Sequence, residues 1–175
     1  MLYLIPRPAH RAALRLAHGL RLRWWRIRKP RLRGCRVLVF DAEERLLLVR
    51  HSYGSAKWMP PGGGMARGED PLAAAARELR EETACRLHFA TLLGLSSEHV
   101  GSTGTEVHVV SGSTQDEPRP DLREVIEARF FHVHALPEDM PRLFRERLPE
   151  WITAARAAHR PDAASRPSRT PAPKG

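Results

Sequence analysis

The stretch that decides the fold runs from Gly62 to Cys85: Gly62-Gly63-Gly64-Met65-Ala66-Arg67-Gly68-Glu69-Asp70-Pro71-Leu72-Ala73-Ala74-Ala75-Ala76-Arg77-Glu78-Leu79-Arg80-Glu81-Glu82-Thr83-Ala84-Cys85. A glycine-rich turn feeds a segment with both start signals of a helix. Asp70 can cap the open N–H groups of the first turn, and Pro71 falls on the first helical position, where its missing N–H costs nothing. A helix is therefore predicted from about residue 71. At about 100° per residue, Leu72, Ala76, Leu79 and Thr83 share one stripe, and Glu78, Glu81 and Glu82 share the next.

Charge on a helix is ordinarily a solvated face laced with ion pairs, and Arg77 with Glu81 fits that pattern. Glu78 and Glu82 do not. Like charges at i,i+4 cost roughly 0.2–0.5 kcal/mol, and a third acid lies beside them, so the cluster opposes stability unless a cation sits in it. Oxygen donors with no Cys or His among them suit a hard divalent ion, Mg²⁺ or Mn²⁺, which is commonly shared with substrate phosphates. The glycines allow positive φ and close backbone approach, so a carbonyl or N–H of the turn can complete the site.

The same residues resemble the signature of the Nudix hydrolases, G-x5-E-x7-R-E-U-x-E-E-x-G-U, with U a bulky aliphatic residue. Gly63, Glu69, Arg77, Glu78, Leu79, Glu81 and Glu82 fall on it at the correct spacing. Two positions depart from it: Ala84 stands where the family has Gly, and Cys85 where it has an aliphatic residue. The family's Gly closes the helix, where φ is commonly positive. Upstream, Trp58 to Gly64 is similar to the family's Trp-x-Leu-Pro-Gly-Gly lead-in, with Pro60 in the Leu position.

The rest of the chain fits around this box. A length of 175 residues with 42% hydrophobic content suits one domain with tails. Residues 1 to 34 hold ten Lys or Arg and no acid, which leaves nineteen bases against twenty acids elsewhere. Basicity therefore belongs to an N-terminal arm, predicted helical from about Pro8 to Ile27. Three readings fit it: a helix docked on its own domain, an interfacial helix on an anionic membrane surface, and a phosphate- or RNA-binding arm. Its composition also imitates a transit peptide. The two cysteines, Cys35 and Cys85, share no metal-like spacing, so a reducing cytoplasm is the simpler reading, and no apolar run approaches the roughly 18 residues of a membrane span.

Cys35 to Phe40 and Arg45 to Arg50 read as a hairpin around Asp41-Ala42-Glu43-Glu44. His51 to Lys57 reads as a loop delivering Trp58 to the edge of the site, either as packing or as a stacking surface for a base. Further strands are expected over Arg86–Leu95, Thr105–Val110 and within Glu124–Leu136, with a turn over Glu98–Gly104 and a surface loop over Gly112–Asp121. Two short helices broken near Pro149 are expected over Pro141–Ala158, and a disordered tail after them. The domain layout is an arm over 1–34, a domain over 35–158 and a tail over 159–175.

The mixed order of strands and helices indicates an α+β fold, and the resemblance implies a Nudix-type α/β/α sandwich with a mixed sheet. It further implies metal-dependent hydrolysis of the diphosphate linkage in a nucleoside diphosphate joined to another group, with Gly63, Glu78, Glu81 and Glu82 holding Mg²⁺ or Mn²⁺. Arg77 would orient the acids and Glu69 would steady the loop, while Trp58, Gly62 and Gly64 would face the substrate, a phosphorylated small molecule such as a nucleotide. Candidates for the base are Glu82, Glu124 and Glu127, in that order. The rival readings are a ligand-binding module without turnover and an RNA-end pyrophosphohydrolase using the basic arm. The triple glycine followed by Met65 is similar to the diphosphoinositol polyphosphate enzymes of the family.

Overall fold

In the computed structural model, residues 32–52, 56–100 and 103–159 are described. Among these described residues, six strands and two helices follow in the order β1 (Leu32–Phe40), β2 (Leu46–His51), β3 (Trp58–Met59), α1 (Pro71–Thr83), β4 (His88–Val100), β5 (Thr103–Ser113), β6 (Val125–Phe131) and α2 (Arg142–Ala158). Strand β1 begins at Leu32 and takes in Arg33 and Gly34, the last residues of the stretch read as the arm. The readings made for the rest of the arm and for the tail lie outside the described residues.

One six-stranded mixed sheet forms the middle layer. Its order is β3-β2-β1-β5-β4, and β6 pairs with β2. The predicted hairpin is present at its turn, where Asp41 accepts the N–H groups of Glu43 and Arg45 and binds the Arg45 guanidinium. Beyond that turn the strands part. β1 and β2 share the Phe40–Leu46 pair, after which β1 runs parallel to β5 from Leu32–Thr105 to Phe40–Ser113, and β2 runs antiparallel to β6.

Alternation along the strands sorts side chains onto two faces. Cys35, Val37, Val39, Leu47 and Val110 pack with Ala74, Ala75 and Leu79 of α1. Leu38, Leu46, Leu48, Trp58 and Val109 pack with Phe144, Leu148, Trp151 and Ile152 of α2. A helix on each face of the sheet makes the α/β/α sandwich.

Helix α1 has the predicted ends. Asp70 Oδ1 accepts the N–H groups of Leu72 and Ala73, each at 3.0 Å, and Pro71 opens the helix. Ala84 closes it in the left-handed conformation, φ 60°, with its N–H on the Arg80 carbonyl.

Two expectations are corrected. The turn expected over Glu98–Gly104 is too long: β4 and β5 pair out to Val100–Thr103, which places Glu98 inside a strand opposite Thr105, and residues 101 and 102 lie outside the described residues. The C-terminal segment is one helix, with Pro149 inside it. Pro149 lies on the exposed side, so the carbonyl of Arg145, which loses its helical partner, is on the side that water reaches. The buried series Phe144, Leu148, Trp151, Ile152 and Ala155 meanwhile continues unbroken across the proline. Among the described residues, no helix is long and apolar enough to cross a membrane.

Candidate active site

Arg77 gathers the front of the site. Its Nε and Nη2 donate to the two carboxylate oxygens of Glu69 at 2.9 and 3.1 Å, and Nη1 donates to Glu78 Oε1 at 2.8 Å and Glu81 Oε2 at 3.3 Å. Nη2 also reaches the Gly64 carbonyl at 3.1 Å, tying the glycine turn to the helix. Glu69 Oε2 accepts the Ala66 N–H as well. The Arg77 hydrogen bonds, then that N–H, hold the Glu69 carboxyl below its ordinary range. Arg77 thus touches Glu69, Glu78, Glu81 and the glycine turn at once.

Glu78 is mostly buried, and burial raises its pKa against the opposing pull of Arg77, with the charges of Glu82 and Glu81 adding to the rise. Its carboxylate lies directly over Gly63: a Cβ there would come within 2.7 Å of the carboxylate atoms. Gly63 is therefore required as a space. Its carbonyl, expected to complete a cation site, accepts the Cys35 N–H at 2.9 Å with one of its two lone pairs.

Glu82 is the most enclosed of the three acids, 7% exposed. Its Oε1 lies 2.8 Å from His51 Nε2, and its Oε2 accepts the Gly62 N–H at 3.1 Å. The sequence alone places His51 in a loop. It is in fact the last residue of β2, on the same face as Leu47, and one further step of the strand's period would have found it. Gly62 has φ 145°, and a Cβ on it would lie 2.2 Å from the Cys35 carbonyl oxygen. Only glycine fits there.

The remaining candidates separate. Glu127 binds Arg50 at 2.8 Å and Arg129 at 3.0 Å. Its neighbours Ala128 and Phe130 pack on the α1 side, so Glu127 points to the opposite face from Glu82. Glu124 lies closer to the site along the backbone, because its carbonyl accepts the N–H of Ser52, the residue after His51. Trp58 is a core residue, in edge contact with Phe131 at 4.9 Å and with Arg50 and Arg129 near its ring. Of its two expected roles, packing is the one these contacts describe.

Among the described residues, no three His, Cys, Asp or Glu side chains converge in a ready-made metal cage. Glu78 and Glu81 turn toward Arg77, and Glu82 toward His51. The donor chemistry nevertheless fits a hard divalent cation, since all three offer carboxylate oxygens. Burial is the main cause of the raised Glu78 pKa, and the neighbouring charges of Glu82 and Glu81 add to it.

Known proteins resemble this chain in sequence and in fold. Human diphosphoinositol polyphosphate phosphohydrolase 2 is 34% identical over 78 residues, covering 45% of this chain and 43% of that protein. The RNA pyrophosphohydrolase of Bartonella bacilliformis is 42% identical over 65 residues, 33% of this chain and 38% of that protein. The chain thus spans less than half the length of these curated relatives. Among solved structures, a MutT NUDIX hydrolase from Burkholderia pseudomallei superposes with a TM-score of 0.62 at 23% identity, over 69% of this chain and 97% of that one, a likeness of fold. The family model for the NUDIX domain matches residues 30–154, which takes in the sheet, the glycine turn and the acidic helix, and the chain belongs to the Nudix family.

Proposed function

We propose that this protein hydrolyses a diphosphate linkage with the help of Mg²⁺ or Mn²⁺, the substrate being a nucleoside diphosphate joined to a second group. The observation that carries the reading is the convergence of the Gly62–Gly64 turn with Glu78, Glu81 and Glu82 around Arg77 and His51. Both curated relatives carry names that denote cleavage of phosphate anhydrides.

Glu78, Glu81 and Glu82 would hold the cation, and Gly63 contributes the room for Glu78. Once bound, the cation supplies neutralisation of phosphate charge and lowers the pKa of water. Arg77 keeps the carboxylates from splaying apart under mutual repulsion. Glu82, fixed at both oxygens, accepts the proton of the attacking water, with Glu124 the next candidate. Glu127, on the other face and paired with two arginines, serves the sheet. A binding module without turnover has no use for a cluster of acids that works against its own stability. Both cysteines are buried free thiols, which supports a reducing compartment such as the cytoplasm.

The test is a phosphate-release screen over nucleoside di- and triphosphates, dinucleotides, nucleotide sugars, diphosphoinositol polyphosphates and 5′-triphosphorylated RNA, with Mg²⁺ or Mn²⁺. No release from any of them, with the protein folded, would refute the reading.

The RNA pyrophosphohydrolase relative, together with ten bases and no acid in residues 1–34, supports a second reading in which the substrate is an RNA 5′ end. That reading requires RNA binding with a steep salt dependence that disappears when residues 1–30 are deleted.

A further inference from the structure

Gly62 is gripped at both polar groups of its backbone. Its N–H donates to Glu82 Oε2 at 3.1 Å, and its carbonyl accepts from Arg36 Nη1 at 3.4 Å. Arg36 is itself held by Glu98 in a two-point fork, Nε to Oε1 at 3.2 Å and Nη2 to Oε2 at 3.1 Å. The pair is nearly enclosed, with side chains 17% and 6% exposed, and the guanidinium lies over the Phe144 ring at 5.0 Å. A continuous line of contacts therefore runs from Glu98 on β4, through Arg36 on β1 and the glycine turn, to Glu82 on α1 and His51 on β2.

Stability is a poor explanation for such a pair. Taking both charges out of water costs several kcal/mol per ion, and apolar replacements of similar volume are often no worse. What a forked Arg–carboxylate pair does supply is a fixed direction for the remaining donors. Here a further donor, on Nη1, meets Gly62, which also meets Glu82. Gly62 has no freedom to yield on its other side, where the Cys35 carbonyl closes in. Burial disfavours the Arg36 charge, yet the charge and hydrogen bonds of Glu98, and then the charge of Glu82, raise its pKa. Arg36 and Glu82 thus interact without touching.

We propose that Arg36, locked by Glu98, is a positioning residue for Glu82, acting through the Gly62 peptide that it holds in place. The inference rests on the catalytic reading of Glu82 given above. Arg36 is not assigned to the substrate, because three of its five N–H groups donate within the protein and its side chain is only 17% exposed.

The experiment uses the full chain with Arg36→Lys, Glu98→Gln, the double variant and Glu82→Gln. Mn²⁺ affinity is read by electron paramagnetic resonance, and kcat and KM are read on the best substrate of the phosphate-release screen. Arg36→Lys keeps the charge and loses the fork. It should weaken Mn²⁺ binding and kcat by roughly 10–100-fold while KM moves less than about threefold. Glu98→Gln should act in the same direction, and the double variant should be little worse than the more damaged single one, because the two residues work as a unit. Should Arg36→Lys not fold, Glu98→Gln alone carries the test.

Unchanged Mn²⁺ affinity and kcat in the Arg36 and Glu98 variants, with Glu82→Gln inactive, would overturn the positioning role and leave the catalytic reading standing. A raised KM at constant kcat would overturn it in favour of substrate contact, and a lowered melting temperature with kcat intact in favour of a purely structural pair. Wild-type turnover and Mn²⁺ affinity in Glu82→Gln would defeat the catalytic reading, and the positioning role with it.

Discussion

His51 and Glu82 meet at 2.8 Å across 31 residues of sequence, the last residue of strand β2 against the last turn of helix α1. The contact is buried on both sides. With the Gly62 N–H on the other oxygen, it leaves the Glu82 carboxylate one orientation. The acid of the helix is thus aimed by a strand and a turn, not by the helix alone.

Glu82→Gln should retain the fold and lose metal-dependent turnover by roughly 10²–10⁴-fold, the usual worth of a positioned general base. The amide keeps an acceptor for Gly62 but loses the charge. Steady-state rates at saturating Mg²⁺, with circular dichroism as the check on folding, decide the matter. A wild-type kcat would remove Glu82 from the chemistry.

Gly62→Ala and Gly63→Ala should fail in different ways. At Gly62 the new Cβ meets backbone, 2.2 Å from the Cys35 oxygen, at a φ that L-residues avoid. The conformation alone should cost roughly 1–3 kcal/mol, and the clash adds to it. At Gly63 the new Cβ meets the Glu78 side chain, which can swing away. Thermal melts should show a large loss for the first and a small one for the second, while Mn²⁺ titration of the second should show the affinity gone.

Ala84→Gly should raise stability and leave the chemical rate alone. Ala84 is exposed at φ 60° and ψ 8°, a left-handed position that costs a residue with a Cβ roughly 1–2 kcal/mol. Added freedom of the unfolded chain removes about 0.4–1 kcal/mol of that gain, so the net is small and positive. Urea denaturation measures it. A clear loss of stability, or a tenfold faster enzyme, would contradict the account.

Asp116 ties the segment after β5 to the start of β4, its carboxylate accepting the Arg86 N–H and the Arg86 guanidinium. The guanidinium first, then the N–H, lowers its pKa from the ordinary 3.8. A carboxyl whose folded-state pKa is depressed contributes stability in full above its ordinary value, and that contribution is lost as pH falls through the folded-state value. Asp116→Asn should therefore melt below the wild type at neutral pH, and the gap should close on acidification below about pH 4. A gap that stays constant across a pH series of melting temperatures would mean that the charge of Asp116 is idle.

Helix α1 was legible from cap to cap in the order of its residues: Asp70, Pro71, the acids at 78, 81 and 82, and the left-handed Ala84. Each of these depends on neighbours within four or five residues, so the local order of the chain was enough. The Arg77 network was legible for a similar reason, since Glu78 and Glu81 lie within one turn of Arg77 and Glu69 faces it across the entry to the helix. Long-range packing was needed for β1 to run beside β5, for α2 to continue through Pro149, for Glu127 to turn away from Glu82, and for His51 to reach Glu82 and Arg36 to reach the glycine turn from separate strands. Alternation along a strand states which residues share a face, but the face acquires a partner only when segments distant in sequence pack together. His51 and Glu82, 31 residues apart, and Arg36 and Glu98, 62 apart, become neighbours through burial of the sheet between two helices.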